Sequence, residues 1–78
     1  MDITDMDITL DLRGLKCPLP ALRTRKALAQ LKSGDVATVE CTELLAAIDI
    51  PHLVAQSGDL LEQQSRQSDV LVFRIRKR

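Results

Sequence analysis

The chain has 78 residues, 11 basic and 11 acidic side chains that cancel to zero net charge, two cysteines, and Phe73 as its one aromatic residue. That length admits one small core, worth roughly 3–5 kcal/mol in a scaffold of this size, and leaves no room for a second domain or a cleft deep enough to bury a large substrate. Zero net charge points to no partner by itself, and a chain with so little aromatic content has an aliphatic core and no stacking platform for single-stranded bases.

Residues 1–6 are acidic and lack an apolar run, so they read as a flexible N-terminal arm and not a secretory signal, ahead of a single domain over 7–78. Ile8, Leu10 and Leu12 alternate with Thr9, Asp11 and Arg13, the period of a half-buried strand, which Gly14 ends. Residues 18–32 predict a helix. Pro18 suits its first position, and Leu19, Leu22, Ala27, Leu28 and Leu31 approximate an apolar stripe with a polar gap at Thr24 and Arg25. Ser33-Gly34-Asp35 turns the chain into a second strand over 36–41.

Thr42 to Ile48 reads equally as a turn or a loose helical entry. Asp49 then serves as N-cap, and Pro51 as first-turn residue, of a short, core-facing second helix closed by Gly58. Two strands over 60–67 and 70–77 pair antiparallel, with Leu71, Phe73 and Ile75 facing one way and Val72, Arg74 and Arg76 the other. The order β-α-β-α-β-β predicts an α+β, two-layer sandwich. Two helices cover one face of a four-stranded mixed sheet, and the first two strands run parallel through a right-handed crossover. Thr9, Asp11, Arg13, Arg74 and Arg76 fall on the other, wet face.

The charge is unevenly placed. No acid occurs from Leu12 to Gly34, where Arg13, Lys16, Arg23, Arg25, Lys26 and Lys32 lie, and Arg74, Arg76, Lys77 and Arg78 close the chain. The basic residues read either as solvated surface or as an electropositive patch for an anionic partner. No apolar run is long enough for a membrane span, and two cysteines without an export signal place the chain in the cytoplasm with free thiols.

Cys17 falls at the start of the first predicted helix. Unpaired backbone N–H groups and the positive end of the helix dipole favour a thiolate there, as do nearby cations, with Lys16 adjacent and Arg13 and Arg23 as further candidates. Pro18 and Pro20 stiffen the presentation and leave the N–H groups of Leu19 and Ala21 as donors near the sulfur. The plain alternative is a small, inert residue ahead of a proline-started helix. Cys41 reads as a buried strand residue, with a resolving thiol as the sharper alternative. His52 lacks an orienting third group for a Cys–His pair, and two cysteines with one histidine do not make a zinc site.

The run Leu10-Asp11-Leu12-Arg13-Gly14-Leu15-Lys16-Cys17-Pro18-Leu19-Pro20 closely resembles the signature of the TusA/SirA-type sulfur-carrier family, as do Asp49-Ile50-Pro51, Gly58 and Phe73-Arg74-Ile75-Arg76-Lys77. The chain departs from it at Thr42-Glu43-Leu44, where members often carry Thr-Asp-Pro. The resemblance implies a sulfur relay component, not a stand-alone enzyme, without cofactor or metal and monomeric. Cys17 would accept sulfur as a persulfide from a cysteine desulfurase or rhodanese-like donor. It would pass the sulfur to a downstream acceptor protein in tRNA thiolation, cofactor assembly or sulfur oxidation. Arg13, Gly14, Lys16, Pro18 and Pro20 would support the thiolate, and Arg23, Arg25 and Lys26 would dock the partner. Membrane and direct nucleic-acid binding are not expected. The rival class is a small RNA-binding or regulatory module that uses the basic patch, with Cys17 structural.

Overall fold

The computed structural model describes residues 7–78, so the arm expected over residues 1–6 lies outside the described residues. The chain runs β1 (Asp7–Leu12), α1 (Leu19–Gln30), β2 (Val36–Cys41), α2 (Ala46–Ser57), β3 (Leu60–Gln67) and β4 (Val70–Arg76). The sheet order is β1-β2-β4-β3, parallel between β1 and β2 and antiparallel at the other two joins. This is the α+β, four-stranded mixed sheet with two helices that the apolar periods predict.

Alternation sorts the sheet into a dry and a wet face. In β4, Leu71, Phe73 and Ile75 are buried and pack with Leu12, Ala37, Val39 and Cys41 under Leu28, Ala46, Ile50 and Val54 of the helices. The remaining side chains of β4 are half-buried on the polar face. There Glu62 accepts from Arg74 Nε at 3.3 Å and Arg76 Nε at 2.6 Å, and Arg74 also lies 3.7 Å from Asp7. Two carboxylates therefore neutralise much of the C-terminal basic cluster locally.

Both helices differ from their predicted outlines. In α1 the buried residues are Pro20, Thr24 and Leu28, spaced by four, while Leu19 and Leu22 are exposed. Thr24 is thus the centre of the buried stripe and not a gap in it. The second helix begins at Ala46, with Leu45 as N-cap, and matches α1 at 12 residues; Asp49 lies in its first turn and Pro51 inside it. The stripe Ala46, Ile50, Leu53, Val54 explains the earlier start, because burying Ala46 extends the helix one turn back from Asp49. Bonds from Ala46 N–H to Glu43 O (3.0 Å), Ala47 N–H to Leu44 O (3.1 Å) and Ile48 N–H to Leu45 O (3.0 Å) wind this entry tightly. Gly58 closes α2 at φ +80°, as expected, with Asp59 N–H returning to Val54 O.

Since β1 and β2 are parallel and α1 crosses between them, α1 and α2 both start at the edge of the sheet where β1 and β2 end. At the opposite edge Asp7 and Arg76 both pair with Val36. The loop carrying Cys17 therefore lies beside the start of α2.

Candidate functional site

Cys17 lies in the loop between β1 and α1, one residue before the N-cap of α1, which is Pro18; Leu19 is the first helical residue and Pro20 the second. Pro18 therefore precedes the helical position expected for it. The Cys17 side chain is exposed, and its peptide bond to Pro18 is cis. The Leu19 N–H, expected as a donor near the sulfur, instead donates to Lys16 O at 2.8 Å. Pro20 points into the core, so this proline anchors α1 to the sheet.

Two residues just after β2 hold the Cys17 loop. Gly14 N–H donates to Thr42 Oγ1 at 2.9 Å, and Cys17 N–H donates to Glu43 Oε1 at 3.3 Å. Glu43 also accepts from Leu45 N–H through Oε2 at 3.2 Å, so one carboxylate ties the cysteine loop to the entry of α2. Leu45, Cys17 and Lys16 all favour its ionised form and hold its carboxyl below the usual range.

The sulfur has a partner that sequence reasoning missed. Cys17 Sγ donates to Asp49 Oδ2 at 3.4 Å. This bond, partial desolvation, and the negative charges of Asp49 and Glu43 push the Cys17 thiol above its ordinary value. The expected lowering is reversed. Two carboxylates, those of Asp49 and Glu43, face the cysteine from beyond the loop, and Arg13 is engaged elsewhere. Its guanidinium forks onto Asp11, Nε to Oδ1 at 2.7 Å and Nη2 to Oδ2 at 2.9 Å, on the wet face. Arg13 thus does not support a thiolate here. The spacing signal for Asp49 was its place on the helix: three residues before His52, both on one face once α2 starts at Ala46.

A groove of about 270 Å³ runs between the helices beside the thiol, lined by Pro18, Ala21, Leu22 and Arg25 from the α1 side and by Asp49, His52, Leu53 and Gln56 of α2. His52 is exposed here and does not face the core as expected, because the buried stripe of α2 passes through residues 50, 53 and 54. Of the docking candidates, Arg25 lines the groove, while Arg23 and Lys26 are exposed on α1 and do not line it. Exposed apolar side chains cluster at the same edge: Leu19 and Leu22 on α1, and Leu44, Leu45 and Ile48 at the entry of α2, with Ile48 at 68%. A core this small exposes so many leucines at one edge only against its own interest in burying them, which marks a surface suited to contact with another molecule. Cys41 is fully buried in the core, and burial pushes its thiol up. Among the described residues no helix is long and apolar enough to cross a membrane.

The fold and the loop-borne thiol together define a class, small α+β sandwiches that present one exposed cysteine ahead of a proline-rich helix start. Comparison with known proteins gives the particular family. The family described as Sulfurtransferase TusA matches residues 8–77, and this chain belongs to it. The sulfur carrier protein TusA of Allochromatium vinosum is 35% identical over 75 residues, spanning 96% of this chain and 99% of its own. A Neisseria meningitidis relative is 48% identical over 65 residues, 83% of this chain and 88% of that one. The crystal structure of a SirA-like protein from Desulfitobacterium hafniense superposes with a TM-score of 0.78 at 30% identity, covering 88% of this chain and 95% of that one.

Proposed function

We propose that this chain is a sulfur carrier that takes sulfane sulfur onto Cys17 as a persulfide and passes it on. The donor is a cysteine desulfurase or a rhodanese-like protein, and the recipient is a downstream acceptor protein serving tRNA thiolation, cofactor assembly or sulfur oxidation. The observation that carries the reading is the exposed Cys17 thiol at the start of α1, beside a groove and within an apolar margin. Membership of the family and relatives named as sulfur carriers support it. A surface thiol can be reached by a partner's persulfide without any opening of the fold, and the apolar margin supplies contact area around the point of transfer. Arg25 in the groove, with Arg23 and Lys26 also exposed on α1, adds attraction for an acidic partner surface.

Incubation with a cysteine desulfurase and cysteine tests the reading. Mass spectrometry should find one added sulfur atom on wild-type protein and none on Cys17→Ser. Because Cys17 is exposed and outside the core, Cys17→Ser should keep wild-type stability within about 0.5 kcal/mol. An RNA-binding module would instead show salt-steep RNA affinity that survives Cys17→Ser. The pairing of Arg74 and Arg76 with Glu62, and of Arg13 with Asp11, weakens that alternative, since these charges already face carboxylates.

A further inference from the structure

The contact between Cys17 and Asp49 sets a condition on any reaction at the sulfur. A carboxylate offers only lone pairs, and so does a thiolate, so the 3.4 Å hydrogen bond holds only while a proton lies between the two groups. Removing the thiol proton therefore leaves two negative groups face to face unless the carboxylate takes it up. The other ionisable groups at this edge are placed differently. Glu43 accepts from the Cys17 N–H, Lys16 acts on Glu43, and Arg25 and His52 line the same groove as Asp49. Asp49 alone among these is given a bond to the sulfur itself.

Resting on the carrier reading above, we propose that Asp49 is a catalytic residue of sulfur transfer, moving the Cys17 proton to the departing donor thiolate when sulfur arrives and the acceptor's proton to Sγ when sulfur leaves. In loading, a lone pair of Sγ attacks the terminal sulfur of a donor persulfide, R–S–SH, while Asp49 Oδ2 takes the thiol proton. The Sγ–S bond forms and the bond between that sulfur and R–S breaks. Its electron pair leaves on R–S⁻, which receives the proton from Asp49 and departs as R–SH. One sulfane sulfur changes hands with no net oxidation. In discharge an acceptor thiol attacks the terminal sulfur of the Cys17 persulfide and gives up its proton to Asp49. The electron pair returns to Sγ, and Asp49 reprotonates it.

The test separates ionisation of the thiol from movement of its proton. Glutathione persulfide serves as donor, with added sulfur on Cys17 followed by mass spectrometry, and iodoacetamide reports the thiolate alone. Wild type, Asp49→Asn and Asp49→Glu are compared from about pH 6 to about pH 9, the range over which an ordinary thiol begins to ionise. Asp49→Asn should alkylate several-fold faster than wild type near neutrality, because the opposing charge is gone, yet load sulfur roughly tenfold more slowly or worse, because the proton acceptor is gone. Asp49→Glu should recover part of the loading rate. Asp49→Asn loading at the wild-type rate, or rising in step with alkylation, would overturn the assignment and leave Asp49 as a mere restraint on ionisation. Loading and alkylation falling together would overturn it too, as a structural role. A wild-type chain that alkylates but takes up no sulfur overturns the carrier reading itself, a result distinct from the loss of the split.

Discussion

Gly14 donates its backbone N–H to Thr42 Oγ1 at 2.9 Å, which closes the loop after β1 onto the residue that follows β2. That single bond, with the neighbouring one from Cys17 N–H to Glu43, fixes where the cysteine loop lies against the start of α2. Gly14 holds φ +87°, and an added Cβ there would meet nothing within 4 Å. Gly14→Ala should therefore cost about 1–2 kcal/mol through backbone conformation alone. Urea unfolding measures it, and a cost near zero would show that the loop relaxes without loss.

Thr24 predicts the opposite sign. Its side chain is completely buried in the centre of the α1 stripe, and Oγ1 has no hydrogen-bond partner among the described residues. Thr24→Val keeps the shape and removes the stranded hydroxyl, so it should stabilise the fold by about 1 kcal/mol. Thermal unfolding should show a melting point raised by several degrees, and a lowered one would mean that the hydroxyl is satisfied in solution.

Acid should weaken the fold partly through its surface carboxylates. The Arg13 guanidinium holds the Asp11 carboxyl at about 2, against an ordinary 3.8. Arg76 and Arg74 hold Glu62 below its usual range in the same direction. A carboxyl whose folded value lies below its unfolded one stabilises the fold above the unfolded value, and loses that contribution as pH falls toward the folded one. The double variant Asp11→Asn, Glu62→Gln should thus lose less melting temperature than wild type on acidification from about pH 5 to about pH 2. Both pairs lie on the surface, so added salt should shrink the difference, and equal slopes at low salt would refute the pairing.

Arg25 carries a kinetic prediction. It lines the groove beside the thiol, so Arg25→Glu should slow association with a cysteine desulfurase several-fold at low ionic strength while barely changing dissociation. Surface plasmon resonance at two salt concentrations measures both rates, and an association rate indifferent to salt and to the substitution would remove the charge from the docking account.

Most of the sheet was legible because its signal is local. Ile8, Leu10 and Leu12, and again Leu71, Phe73 and Ile75, repeat every second residue and need no knowledge of the rest of the chain. The entry of α2 was not legible because hydrophobicity and burial part company there. Leu44, Leu45 and Ile48 look like the start of a buried stripe and stay exposed, whereas small Ala46 is the residue that packs. Thr24 misled in the reverse sense, a polar residue buried at a helix centre. The exposed place of Cys17 ahead of a helix was legible from its motif, but its electrostatics were not. Lys16 adjoins it in sequence, whereas Asp49 and Glu43, 32 and 26 residues away, reach it in space. Sequence proximity thus pointed to a cation, and folding delivers two anions.

The meeting of Asp7 and Arg76 on Val36 has a practical corollary. The first and last strands begin and finish at one edge of the sheet, and the cysteine loop sits at the other, a strand length or roughly 20 Å away. A tag, a label or another folded module joined directly ahead of Asp7 or after Arg78 would hang from the rear of the molecule. Such fusions should leave access to the sulfur unobstructed, so the domain can be immobilised or strung to other modules from behind.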